Sequence, residues 1–292
     1  MPSVPTEAAT VPALHTLGIG AAGPRIAFLH GLFGQGRNWT QIAKAVSGAE
    51  GADARCLLVD LPDHGRSPWS AAFSLQAYAD AVAATLVGHG PGEQWVVVGH
   101  SLGGKVAMLL ALRHPELVAR LVVVDIAPKD YGSLDRFAGY IAEMQDLSLA
   151  ALTSRADAES RFQEPDAGVK AFLLQNLRRD GQAWRWQVNL DLIARDAALG
   201  AGSLIAGWPA DASALAPYLG PVLWIAGGQS PYITREDGEA MRALFPRTRL
   251  FTVKGAAHWV HTDAPEVIVA ALRRFVREDE TVTGGGDPSP TP

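Results

Sequence analysis

The run WVVVGHSLGGKVAM, residues 95–108, sets Ser101 within Gly99-His100-Ser101-Leu102-Gly103, between an apolar strand-like stretch and a helix-like one. A serine between strand and helix sits in a tight, strained turn that only small neighbours allow. Its hydroxyl stands at the tip, and the first N–H groups of the helix face any negative charge that develops beside it. This is the chemistry of a nucleophile attacking a carbonyl. The Leu102 amide, directly after the serine, is a candidate oxyanion donor. A serine that serves only the turn is the alternative, and the strand–turn–helix setting weighs against it. Gly99 to Lys105 also reads G-x-x-x-x-G-K, but Val106 stands where a phosphate loop needs Ser or Thr for magnesium. GIGAAG at 18–23 fits a dinucleotide pattern, yet it runs into Pro24 and a strand, with no helix N-terminus to face a pyrophosphate. Neither stretch is expected to hold a phosphate.

The elements that must position Ser101 follow from the apolar pattern. RIAFLH (25–30), RCLLVD (55–60), WVVVGH (95–100), LVVVD (121–125), VLWIAG (222–227) and RLFTV (249–253) read as strands. Several are apolar on successive residues, as in parallel strands buried on both faces. Helical patterns at 74–89, 102–114 and 234–245 lie between them, so the fold class is α/β. From Ala127 to about Leu219 no strand is evident, and the pattern reads as helical. The domain expectation is a core of residues 13–127 and 219–278, a helical lid insertion at 128–218, and flexible tails at 1–12 and 279–292.

Composition narrows the function. Among 292 residues, 48% are hydrophobic and 19% charged, as in a globular protein with a sizeable core. A net charge of −5 without a basic run argues against nucleic acid as a partner. No stretch has the length of a membrane span, and the N-terminal residues lack a signal-peptide pattern. The single cysteine, Cys56, in an apolar run, is expected to be a buried small hydrophobe and fits a reducing compartment, hence a cytoplasmic location.

Further motifs carry a family resemblance. His30-Gly31-Leu32-Phe33-Gly34 after the first strong strand, DLPDHGRS at 60–67, the Ser101 elbow and GAAHWVHTDAPE at 255–266 together resemble an α/β-hydrolase, over residues 13 to 278. HGLFGQGRNW, GHSLGGKVAM, VVVDIAP, FLLQNL and GGQSPYI resemble, more narrowly, the small bacterial esterases related to the abhydrolase-domain-11 proteins. The resemblance implies a mostly parallel central sheet flanked by helices, no cofactor or metal, and a small-molecule ester or thioester substrate. The oligomeric state stays open.

It also implies roles. Leu32 and Leu102 supply oxyanion N–H groups, with Phe33 a neighbouring candidate for the first. Two histidines compete as general base, and the family pattern puts the base before the aromatic residue, which makes it His258 and leaves His261 a surface or supporting role. A metal site on this pair lacks a Cys or acidic companion. The acid of most relatives follows the strand VLWIAG, but Ser230 stands there. LVVVD ends one strand earlier in Asp125, and neighbouring parallel strands, about 5 Å apart, deliver their ends to one sheet edge. Some members of the superfamily place the acid there, so Asp125 is expected to take the role, with Asp237 and Asp263 as substitutes. Asp60 and Asp63 read as turn formers with Arg66 as a partner, and Trp184, Trp186 and Trp208 as packing for the insertion's helices or walls of an acyl pocket. The expected function is hydrolysis of an ester or thioester through an acyl-enzyme on Ser101. A related lyase, carbon–carbon bond hydrolase or perhydrolase with the same triad, and a non-catalytic binding module, are the alternatives.

Overall fold

The computed structural model describes residues 13–48 and 53–278, so the expected tails fall outside the described residues. The strands are β1 (Thr16–Ile19), β2 (Arg25–Leu29), β3 (Arg55–Val59), β4 (Trp95–His100), β5 (Val118–Val124), β6 (Leu177–Asp180), β7 (Ala183–Trp186), β8 (Val222–Gly227) and β9 (Thr248–Val253). The helices are α1 (Thr40–Ser47), α2 (Leu75–His89), α3 (Leu102–Arg113), α4 (Ala138–Asp146), α5 (Arg155–Arg161), α6 (Ala167–Leu174), α7 (Leu190–Ala197), α8 (Asp237–Leu244), α9 (Val260–Asp263) and α10 (Pro265–Arg277). Seven strands form one sheet in the order β1-β3-β2-β4-β5-β8-β9. Every pairing is parallel except β1 with β3.

The strand sequences explain the layering. Val97, Leu121, Val123 and Trp224 point into one apolar cluster with α2, α3 and α8, while Val96, Val98, Val122, Val124 and Ile225 point into another with α1 and α10. Successive residues of a strand face opposite ways, so only runs apolar at every position fit between two helical layers. Each such valine, fully buried, contributes about 1.5–3 kcal/mol relative to exposure. The parallel strands all end at the same edge, and that edge receives Leu32, Ser101, Asp125, Ser230 and His258.

Two elements depart from the sequence pattern. β1 is short and half-exposed, and as an antiparallel edge strand it needs no long apolar run. Residues 128–218 are not helical throughout, because β6 and β7 form an antiparallel hairpin inside them. Asp180 pairs with Ala183 across a tight turn at Gly181, whose φ of +60° suits glycine. The Asp-Gly turn signal was present, but it lay within a stretch rich in helix formers. Trp184 and Trp186 then donate their indole N–H groups to the carbonyls of Leu152 and Met144, at 3.1 and 3.2 Å. They join the segment's elements to one another and do not border Ser101.

Candidate active site

Ser101 follows β4 with φ 53° and ψ −118°, a sparsely populated conformation for a non-glycine residue. Its neighbours explain how the turn is tolerated. A Cβ at Gly99 would stand 2.2 Å from the Gly103 carbonyl oxygen, and one at Gly103 would stand 2.5 Å from the carbonyl oxygens of Leu29 and His30. Both glycines of the elbow are therefore required by close backbone approach. Leu102 opens α3, where the first N–H groups have no intrahelical acceptor. The Leu32 N–H likewise has no partner among the described residues. Both leucines border the same cavity as Ser101.

His258 lies in the loop between β9 and α9, with Nε2 3.1 Å from Ser101 Oγ and Nδ1 2.8 Å from Asp125 Oδ2. The carboxylate accepts only, so Nδ1 carries the proton and the Nε2 lone pair faces the serine hydroxyl. Asp125 is fully buried at the end of β5, with φ 52°. Its Oδ1 accepts the Gly227 N–H at 2.9 Å, and Oδ2 also accepts the Ser230 hydroxyl. Ser230, at the expected acid position, thus donates to Asp125, one strand away. Asp125 reaches His258 because the histidine loop crosses the end of β8 at Gly227, where a Cβ would come within 2.3 Å of the Ala257 carbonyl oxygen.

The rest of the site holds the imidazole in place. Tyr232 stacks on the His258 ring, with centroids 4.0 Å apart and planes at 19°. Tyr131 in turn donates to the Tyr232 carbonyl at 2.7 Å. His100 Nε2 donates to the His258 carbonyl at 2.8 Å. His261 packs between the rings of Trp39 and His100, and its buried Nδ1 has no partner among the described residues. Burial, with the neighbouring histidines, holds His100 well below the ordinary histidine range, and burial beside His258 brings His261 down to about 3. His30 is also lowered to about 3, by burial and then His64. These three rings are neutral near pH 7, and among the described residues His258 alone of the histidines gathered around Ser101 meets a carboxylate.

The competing acids are occupied elsewhere. Asp237 pairs with Lys129 at 2.7 Å, and Asp263 accepts the Ala257 N–H at 2.8 Å. Asp60 does form a turn, but its Oδ2 binds the Arg66 backbone N–H and not the guanidinium. Asp63 does more than form a turn: buried, it accepts from Tyr78 Oη at 2.6 Å and from Asn189 Nδ2 at 2.7 Å, tying residues 128–218 to the loop after β3 and to α2. Among the described residues no group of three or more His, Cys, Asp or Glu is placed to hold a metal ion. Cys56 is buried, as its setting indicated.

Lys105, one turn into α3, borders the cavity beside Ser101. Its buried ammonium donates to the carbonyls of Ile205 at 3.3 Å, Gly207 at 2.8 Å and Ala206. Burial lowers its pKa to about 7, although Asp130 and Asp196 raise it. The cavity of about 300 Å³ over Ser101 is bounded by Leu32, Leu102, Lys105, Phe137, Ile205 and Tyr232, among others.

A strand–elbow–helix carrying serine, with an acid and a histidine converging from two other strand ends, is a hydrolase arrangement, and residues 24–265 match the profile of the α/β-hydrolase fold. The chain belongs to the α/β-hydrolase fold family. It is 37% identical over 259 residues to the sn-1-specific diacylglycerol lipase ABHD11 of Mus musculus, covering 87% of this chain and 81% of the mouse protein. It is 29% identical to esterase YbfF of Escherichia coli, covering 87% and 93% of the two chains. A solved structure described as a marine microorganism esterase superposes with a TM-score of 0.82 at 27% identity, over 90% of this hydrolase and 99% of that chain. The narrower resemblance, to ABHD11 proteins and small bacterial esterases, therefore holds for this hydrolase.

Proposed function

We propose that this hydrolase cleaves carboxylic esters or thioesters through an acyl-enzyme on Ser101. The observation that carries the reading is the relay from Ser101 Oγ through His258 to the buried Asp125 carboxylate. Ser101 Oγ attacks the substrate carbonyl as its proton passes to His258 Nε2. Asp125 stabilises the imidazolium and keeps the proton on Nδ1. The Leu32 and Leu102 N–H groups receive the oxyanion. His258 then returns its proton to the leaving alcohol or thiol, and the carbonyl re-forms as the acyl-enzyme. Water, deprotonated by the same imidazole, releases the acid and restores the serine.

In this reading residues 13–127 and 219–278 supply the chemistry and residues 128–218 act as the lid. Supporting the division, Phe137, Ile205 and Ala206 of the insertion border the cavity over Ser101. About 300 Å³ is at the small end of ligand cavities, so the acyl group it takes is of limited length. The test is a series of p-nitrophenyl esters and acyl thioesters of increasing chain length, with Ser101→Ala as control. Turnover should fall by about 10⁶ in the control. A wild-type enzyme without turnover on the series, or a Ser101→Ala variant as fast as wild type, would sink the proposal.

A further inference from the structure

Arg37, Arg66, Arg155, Arg178 and Arg185 gather beside the hairpin β6–β7. Arg66, Arg178 and Arg185 border one open cavity of about 530 Å³. The pKa of the Arg37 guanidinium is lowered by burial and by the charges of Arg155, Arg66 and Arg178, against Asp60, which raises it. In a chain of net charge −5 this is a local excess of positive charge. Few carboxylates answer it. Arg185 meets Asp180 at 3.4 Å, both exposed. Asp60 already accepts from the backbone of Gly36 and Arg66 and from His15. Arg37 and Arg155 bond to carbonyl oxygens of residues 174–177. Among the described residues, Arg66, Arg155 and Arg178 form no salt bridge with a carboxylate, and Asp60 acts on Arg37 without pairing with it directly. Neighbouring like charges repel one another. The same cavity is bordered by Trp69, a large aromatic side chain left 55% exposed.

We propose that this cavity binds a phosphate-bearing small molecule with a planar ring, of the nucleoside diphosphate class. Guanidinium forks match phosphate oxygens bidentately, so three of them around one concavity suit a group with more than one negative charge. Trp69 offers a face on which a planar ring stacks. The concave shape selects a soluble molecule over a flat anionic membrane. The site is distinct from the cavity over Ser101, with no lining residue in common, and it does not depend on the ester chemistry there.

The test titrates ADP and inorganic pyrophosphate into the full-length protein by calorimetry, at low and high salt, following tryptophan fluorescence in parallel. Both should bind saturably and more weakly as salt screens the charges. Arg178→Glu/Arg185→Glu should lose at least about tenfold in affinity, the scale of one lost charge-assisted hydrogen bond, while its ester hydrolysis stays at the wild-type rate. Trp69→Ala should bring ADP down to the affinity of pyrophosphate. If the double charge reversal does not fold, Arg66→Gln/Arg178→Gln carries the same comparison. Absence of saturable binding to either probe, or equal affinity in the charge-altered variants, would overturn the site. Binding to phosphatidylglycerol vesicles but to neither soluble probe would overturn it as well, and equal wild-type affinity for ADP and pyrophosphate would remove the ring.

Discussion

Asp125→Asn separates the relocated acid from a merely structural aspartate. The carboxylate accepts from three donors: the Gly227 N–H on Oδ1, and His258 Nδ1 and the Ser230 hydroxyl on Oδ2. An amide cannot do this. With its oxygen toward His258, its NH₂ would oppose the Gly227 N–H in a buried site, at a cost of about 1–3 kcal/mol. With its oxygen toward Gly227, the NH₂ faces His258, and the imidazole must turn its Nδ1 lone pair to it. The proton then moves to Nε2, opposite Ser101 Oγ, and the base is lost. The expected fall in kcat is about 10³–10⁴. That corresponds to about 4–5 kcal/mol at about 1.36 kcal/mol per tenfold. KM should change little, because Asp125 does not border the cavity. Ser230→Ala removes one donor and leaves the imidazole contact, so it should cost less than about tenfold. In Asp125→Asn/Ser230→Asp the new carboxylate starts from a site already in hydrogen-bond contact with residue 125, and should recover about tenfold. Steady-state kinetics on a p-nitrophenyl ester, with Tm as a check on folding, decides. A fully active Asp125→Asn would refute the assignment. A folded but inactive single variant without rescue would sink only the equivalence of positions 125 and 230.

Three further outcomes follow from the geometry. Gly227→Ala places a methyl group 2.3 Å from the Ala257 carbonyl oxygen, so the His258 loop must move, and kcat should drop about 10²-fold. Unchanged kcat would show that the loop does not position the base. Burial lowers His30 and His261 to about 3 in the folded chain, from about 6.5 for a solvated histidine. Across that window the unfolded chain binds more protons, so stability should rise with pH from about 3 to 6.5; a Tm flat between pH 4.5 and 6.5 would contradict the burial argument. Lys105, lowered to about 7 from 10.5, has the same sign at higher pH, and its contribution should make stability rise between those values. In Lys105→Met that part of the rise should vanish, and an identical Tm profile from pH 7 to 9.5 would count against it.

The sheet was legible because strands buried on both faces must be apolar at every position, as in WVVVGH and VLWIAG. The elbow was legible because its backbone contacts admit only glycine at 99 and 103. The placement of Asp125 beside Ser230 could be reached by arguing from strand neighbours, since β5 and β8 are adjacent. What the sequence does not display is contact between distant segments. Tyr232 beneath His258, and His100 bonded to the His258 carbonyl, carry no local pattern, and position 100 is one of the two free positions of the G-x-S-x-G motif. The hairpin β6–β7 stayed hidden because each strand has only four residues, too few for an alternation to stand out among helix-forming neighbours. Asp63 reads as a turn residue, and its links to Tyr78 and Asn189 depend on how the insertion folds back.

The central claim is that Ser101 is an activated nucleophile, and covalent labelling with a fluorophosphonate tests it most directly. Only a serine whose proton can pass to a base attacks such a probe readily. Intact mass analysis should show one adduct per chain, and peptide mapping should place it on Ser101. The adduct should be absent in Ser101→Ala and form far more slowly in His258→Ala. A folded wild-type protein that takes up no label, or that carries it on another residue, would contradict the account.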